Sequence, residues 1–191
     1  MYKKNFTPLL YSLISLILIS CTAQAQTNDS NTKLNNCSLI TREEVEAIQK
    51  EPVKEIKSNS QTFDNRLITQ CFYQLTTYAK SISVQVTQAS PKQPEKANLL
   101  GFWKGIFHSG AVIKNENSKT EENKINEKRS NVVVRVFNLG DEAFLAGNQI
   151  TLALYVLKKN NIIRISIGGA EKEQIRIQKM KILAGKLINR L

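Results

Sequence analysis

Histidine and cysteine, on which much metal and thiol chemistry depends, are scarce in this chain. Its 191 residues contain one histidine, His108, which excludes a multi-histidine metal site and leaves a single candidate base for any catalytic thiol. A Gly-x-Ser-x-Gly elbow, a phosphate loop, a His-Glu-x-x-His pair and an Asp-rich calcium loop are all absent from the sequence, so the usual hydrolase, nucleotide and metal signatures are missing. No metal and no cofactor is expected. The apolar run from Leu9 to Ser20 is too short to span a bilayer. Acidic residues are the last shortage, 16 Asp and Glu against 27 Lys and Arg, for a net charge of +11. Such a balance favours anionic surfaces.

That short apolar run is preceded by Lys3 and Lys4 and ends among small residues, which is the pattern of a secretory signal. Its exit, Leu18-Ile19-Ser20-Cys21, resembles the bacterial lipobox, in which the cysteine becomes the first mature residue and carries the lipid. Ala23-Gln24-Ala25 offers a second exit, an ordinary small-x-small site that would release a soluble periplasmic protein at Ala25. The run stops directly at Cys21, which favours lipidation there. Residues 1–20 are therefore expected to be a signal peptide, and the mature protein to be exported and lipid-anchored on the periplasmic or cell-surface side. Without Lys3 and Lys4 the mature chain keeps 25 basic and 16 acidic residues, about +9. Expected partners are the membrane through the anchor, and then an anionic lipid, a cell-wall polymer or an envelope protein. Nucleic acid is not expected, because an exported chain rarely meets it.

Three cysteines are present. With Cys21 lipidated, Cys37 and Cys71 remain as an even pair in an oxidising compartment and are expected to be bridged. Two free buried thiols are the alternative. Residues 21–36 are rich in Asn, Gln, Ser and Thr and read as a flexible tether, with a root-mean-square span on the order of 20 Å.

The remainder, 37–191, is expected to be a single α+β domain. Thr41 followed by Glu44 has capping-box spacing and predicts a short helix from Arg42 to about Lys50, closed by Pro52. Val53–Lys57 alternates as an edge strand, and 59–65 reads as a loop. Alternation returns through Leu67–Tyr78 and Ser81–Thr87, where Ile82, Val84 and Val86 face a core. Pro91 and Pro94 end that hairpin. Leu99, Phe102 and Ile106, flanked by Leu100 and Trp103, predict a helix stopped at Gly110, with Gly101 and Gly105 suited to close packing. Residues 115–130 read as a mobile, solvated insertion. Val132–Val136, Ile150–Leu157 and the Ile163-Ile165-Ile167 stretch predict further strands, the last two joined by a tight turn at Lys159-Asn160-Asn161. Glu171–Leu191 predicts a long C-terminal helix with an apolar stripe of Ile175, Met180, Leu183, Leu187 and Leu191. The architecture expected is a curved antiparallel sheet of about five to seven strands with two or three helices packed on it.

Cys37, the Leu39-Ile40-Thr41 run into Glu44, Cys71-Phe72-Tyr73, Leu139-Gly140-Asp141-Glu142-Ala143 and the closing amphipathic helix form an ordered set. Together they resemble a family of small bacterial envelope lipoproteins of unknown function, best represented among actinobacteria and distantly similar to extracellular sensor domains of certain bacterial serine/threonine kinases. The resemblance implies a curved antiparallel sheet covered by helices, and a disulfide between Cys37 and Cys71. It supplies no catalytic residues.

Candidate sites follow from what stands out. Asp141-Glu142 is the only acidic pair in an otherwise apolar setting; neighbouring positions on an extended segment point opposite ways, so the two do not form a carboxylate couple. Either Asp141 bonds its own backbone in a turn permitted by Gly140, or one carboxylate rims a pocket. Phe102, Trp103 and Tyr155 are candidates to line a shallow binding groove. Lys179, Lys181 and Lys186 on the basic C-terminal helix are candidates to meet an anionic surface, since nine basic and two acidic residues lie between Lys158 and Leu191. Two function classes remain: a non-catalytic binding, sensor or scaffold lipoprotein, which is favoured, and an envelope hydrolase with a scattered site. A deep cleft holding a carboxylate beside Ser109 or His108 would point to the hydrolase.

Overall fold

The computed structural model describes residues 36–109, 113–115, 132–148, 150–169 and 171–191. The lipobox, all of the tether but Asn36, and all of the 115–130 insertion but Asn115 lie outside them, as does Gly110. The described chain opens with a 3-10 turn at Asn36–Ser38 and helix α1, Arg42–Gln49. Thr41 caps α1 as its spacing demands: its hydroxyl accepts the Glu44 N–H and the Glu44 carboxylate accepts the Thr41 N–H.

Strands β1 (Val53–Phe63), β2 (Arg66–Leu75) and β3 (Ile82–Ala89) form an antiparallel meander, followed by helix α2 (Leu99–Phe107). The chain then reaches the far edge of the sheet at β4 (Ile113–Asn115). It returns through β5 (Val132–Val136), β6 (Glu142–Gly147), β7 (Ala153–Lys158) and β8 (Asn161–Ile167) to pair beside β3, and helix α3 (Glu173–Ile188) closes it. The sheet order is β1-β2-β3-β8-β7-β6-β5-β4. Seven strands are antiparallel and β4 runs parallel to β5, so the fold is α+β on a curved antiparallel sheet.

Two-residue turns set the register of both long hairpins. Asp64-Asn65 and Lys159-Asn160 all have positive φ, between 45° and 61°, the geometry that matches strand twist in a hairpin. Period-two alternation then sorts side chains onto two faces. Cys71, Tyr73, Ile82, Val84, Leu154, Val156, Ile163 and Ile165 point to one face, where Met180, Leu183, Ala184 and Leu187 of α3 and Val45 of α1 cover them. Each Val, Leu, Ile or Met side chain among them contributes about 1.5–3 kcal/mol on burial. The opposite face carries Phe144, Leu157 and Ile162, which pack under Leu99, Trp103 and Phe107 of α2.

Cys37 and Cys71 are bridged, with their Cα atoms 5.4 Å apart, and tie the segment before α1 to the second strand. Tyr73 secures the same segment by donating to the Ile40 carbonyl at 2.7 Å. Burial, and then the nearby Glu44 charge, push its phenol up to about 12.

Several elements depart from expectation. Residues 59–63 continue β1 rather than forming a loop, because the turn is only Asp64-Asn65. The stretch 150–152 is not strand: Asn148 Oδ1 accepts the Ile150 and Thr151 N–H groups and turns the chain before β7. On α2 the buried stripe is Leu99, Trp103 and Phe107, while Phe102 and Ile106 are exposed. Gly105 has open space around it, and Gly101 faces only the capping side chain of Asn98, so neither admits a neighbouring backbone. Ile175 is exposed on α3, and Arg176 takes the buried position, donating to the Ile167 carbonyl.

Candidate functional site

Helix α2 has only nine residues and covers part of its face. Its start lies over β2, where the Arg66 guanidinium sits 3.9 Å from the Phe102 ring. Its far end lies over β6, where Phe107 meets Phe144 and His108 meets Glu142. Among the described residues no helix packs on the rest of that face. The register brings Gln70, Gln85, Arg164 and Tyr155 into one row across β2, β3, β8 and β7, with Phe72, Ser83 and Ser166 in the next. Gln70 Nε2 donates to Ser83 Oγ at 2.9 Å and Arg164 Nε to the Tyr155 hydroxyl at 3.1 Å. At the β1 edge a depression of about 350 Å³ is lined by Lys57, Ser58, Asn59, Gln70, Phe72, Gln74 and Tyr78. The rings of Phe72 and Tyr78 lie 5.9 Å apart there, tilted by 52°.

A second cluster forms at the end of α2. Trp103 is fully buried and donates its indole N–H to Glu142 Oε2 at 2.6 Å. His108 Nε2 lies 2.9 Å from the same oxygen, and Arg135 is 3.6 Å from the other. Phe107 stacks on Phe144 at 4.7 Å behind them. Burial works to raise the Glu142 carboxyl, but hydrogen bonds from Trp103 and His108, and then the His108 and Arg135 charges, hold it below the usual carboxylate range. The group is thus a carboxylate at neutral pH, held by three partners. Ser109 donates to the Gly105 carbonyl instead of to this pair. Asp141 points the other way, accepting the Lys159 backbone N–H at 2.8 Å and Lys158 Nζ at 3.1 Å, with Gly140 at φ 66° before it. It therefore staples the β7–β8 turn rather than bonding its own backbone. The Lys159 N–H first, and then the Lys158 ammonium, hold its pKa low.

The third feature was not marked in the sequence. A depression of about 330 Å³ at the start of α2 is lined by Asp64, Arg66, Lys96, Asn98 and Phe102. Arg66 is only 7% exposed and lies between the Phe102 and Phe63 rings, 3.9 and 5.8 Å from its guanidinium carbon. Its Nη2 donates to Asp64 at 2.9 Å, and its Nε is buried with no acceptor among the described residues. An arginine directly after a hairpin turn ordinarily reads as solvent-exposed; only the docking of α2 buries this one.

The residues singled out from the sequence are not brought into one groove. Phe102 rims the Arg66 depression, and Tyr155 is half-buried at the border of the open face, its ring 5.3 Å from Phe107 of α2. Trp103 is wholly enclosed, which removes it from any binding surface. The lysines of α3 are not an unpaired outward row either. Lys179 bonds Glu171 at 2.7 Å and Gln49 at 2.8 Å, and Lys186 bonds Glu44 at 2.9 Å. Lys181 is half-buried and also engaged. The reason is acidic residues on α1 and ahead of α3, which the charge count along one helix does not reveal. Cys21 lies outside the described residues. Among those residues no group of three His, Cys, Asp or Glu side chains is placed to hold a metal, and no helix is long and apolar enough to cross a membrane. No family model, curated protein or solved structure matches the chain.

Proposed function

We propose that the protein is a non-catalytic cell-envelope lipoprotein, a binding module that takes a hydroxyl-rich envelope polymer on the open half of its sheet. The observation that carries this reading is the chemistry of that half-face. Gln70, Gln74, Gln85, Ser83 and Ser166 offer amide and hydroxyl groups that donate and accept, next to the flat rings of Phe72 and Tyr78. Neutral polar groups pair with sugar hydroxyls, and aromatic faces, being electron-rich, pack against the weakly positive C–H faces of a sugar ring. The lipobox and tether would hold this face close to the polymer. Glu142 supports binding over hydrolysis because it is an ionised group tied to the core by Trp103, His108 and Arg135 rather than a proton donor.

Titration of the full chain, in neutral detergent, with β-linked N-acetylhexosamine oligosaccharides tests the reading by backbone amide shifts. Shifts are expected in β2, β3 and β8, and Phe72→Ala should weaken binding by about threefold to tenfold, the worth of one aromatic contact. Absence of shifts on those strands would overturn the reading, and so would cleavage of the saccharide, which would return the His108–Glu142 pair to the catalytic class.

A further inference from the structure

The depression at the start of α2 does not belong to the open half-face, and its chemistry is different. Three donor groups from two segments line it: the Arg66 guanidinium from β2, and the Lys96 ammonium and Asn98 side-chain amide from the stretch leading into α2. Arg66 spends one N–H on Asp64 and leaves Nε buried without an acceptor. Lys96 is exposed and forms no ion pair with the described residues. Asn98 uses its Oδ1 to accept the Gly101 N–H at 2.8 Å, which caps α2 and leaves its amide hydrogens unspent among the described residues. The positive end of the α2 dipole adds to the same field. Against two cations stands one carboxylate, Asp64.

We infer that this depression is an oxyanion site that takes a phosphate group between Arg66 and Lys96. The aromatic rings of Phe63 and Phe102 fix the plane of the guanidinium, and a planar fork held in place loses little freedom on binding an anion. Charged groups are rarely sunk this far unless paired, and the pairing here is incomplete: Asp64 meets one N–H of the fork and the buried Nε has no acceptor among the described residues. Phosphate fits better than carboxylate. Asp64 already supplies a carboxylate to the fork, and donors on three side chains from two segments call for an anion with oxygens pointing in more than one plane. This inference does not rest on the saccharide reading of the open face, and either can fail alone.

The test is the Arg66 side-chain Nε–H resonance of the full chain in neutral detergent, followed during titration with inorganic phosphate and with glycerol phosphate. A saturable shift is expected with both, and none with sodium chloride at matched ionic strength. Asp64→Asn should tighten phosphate binding by about twofold to fivefold, and Lys96→Ala should weaken it by about as much, the worth of one partly exposed ion pair. Both substitutions are at exposed positions and leave Arg66 in place, so misfolding does not confuse the result. Vesicles of phosphatidylglycerol, compared with neutral phosphatidylcholine vesicles, identify the source: a shift there larger than with glycerol phosphate assigns a lipid headgroup, and an equal or smaller one a soluble or polymeric phosphate. An Arg66 signal that does not move with phosphate, that moves equally with chloride, or that follows acetate as closely as phosphate would overturn the proposal.

Discussion

Glu44 is expected to be the residue on which the packing of α1 against α3 depends most. Its Oε2 accepts the Thr41 N–H at 3.0 Å and Arg190 Nη1 at 2.8 Å, and its Oε1 accepts Arg190 Nη2 at 2.8 Å and Lys186 Nζ at 2.9 Å. The carboxylate therefore closes the capping box of one helix and clamps the end of the other. Hydrogen bonding from Arg190, against the opposing effect of burial and with help from Lys186, lowers its pKa to about 2 from 4.5. At about 1.36 kcal/mol per pKa unit the ceiling is roughly 3.4 kcal/mol. The side chain is 16% exposed but Arg190 and Lys186 are 38–39% exposed, so screening reduces this to about 1–2 kcal/mol. Glu44→Gln should lower the melting temperature at pH 7 by about 2–8 °C for a domain of this size. The folded pKa lies below the unfolded one, so the stabilisation is complete above about pH 4.5 and disappears as pH falls through about 2. Thermal melts of wild type and Glu44→Gln across pH 7 to 3 should converge, with more than half of the difference gone by pH 3. A difference that stays constant over that range would refute the ionic account and leave only a neutral cap.

Other outcomes follow from single contacts. Cys71→Ser opens a bridge between residues 34 apart and should cost about 3–4 kcal/mol by chain entropy, measurable by denaturant titration with and without reductant. Gly140→Ala should destabilise by about 2 kcal/mol or more, since φ is +66° and a Cβ would meet the Leu157 carbonyl at 2.6 Å; an unchanged denaturation midpoint would contradict the turn geometry. Trp103→Phe keeps an aromatic ring against Phe107 and Phe144 but removes the N–H that Glu142 accepts. A loss of about 1.5–3 kcal/mol is expected near neutral pH. Because Glu142 is held below its usual value, that loss should shrink as acid protonates the carboxylate.

The fold was largely legible because its signals are local. Thr41 and Glu44 stand at capping-box spacing, Ile82-Val84-Val86 alternate strictly, and Lys159-Asn160 sits between two apolar runs; each motif decides its own few residues of backbone. Errors arose where a local signal had a competitor. The polar stretch 59–63 reads as loop, yet it is the outer strand, where both faces are solvated and pairing with β2 alone holds it extended. On α2 the choice between the Phe102-Ile106 stripe and the Leu99-Trp103-Phe107 stripe turns on which aromatic finds partners. Trp103 and Phe107 find Phe144 on β6, about 40 residues away in sequence. Nothing near residue 100 encodes that.

The candidate site is legible only after topology is known, and the physical reason is where α2 lies. A helix of nine residues cannot cover a sheet of eight strands, so it buries the apolar patch at Leu157 and Ile162 and leaves the rest of that face with no helix over it among the described residues. Each residue of the uncovered part obeys the ordinary rule for a solvated strand, which is why Gln70, Gln85 and Ser166 attract no notice in sequence. The same placement creates the two unusual environments. At one end, docking of α2 sinks Arg66 between two aromatic rings; at the other, it drives the Trp103 N–H and His108 onto Glu142. Lys179, Lys186 and Arg190, conspicuous in sequence, are spent on Glu171 and Glu44. Positive charge therefore marks a functional surface in this protein only where topology leaves it unpaired, and the count of lysines along a helix is the wrong place to look for it.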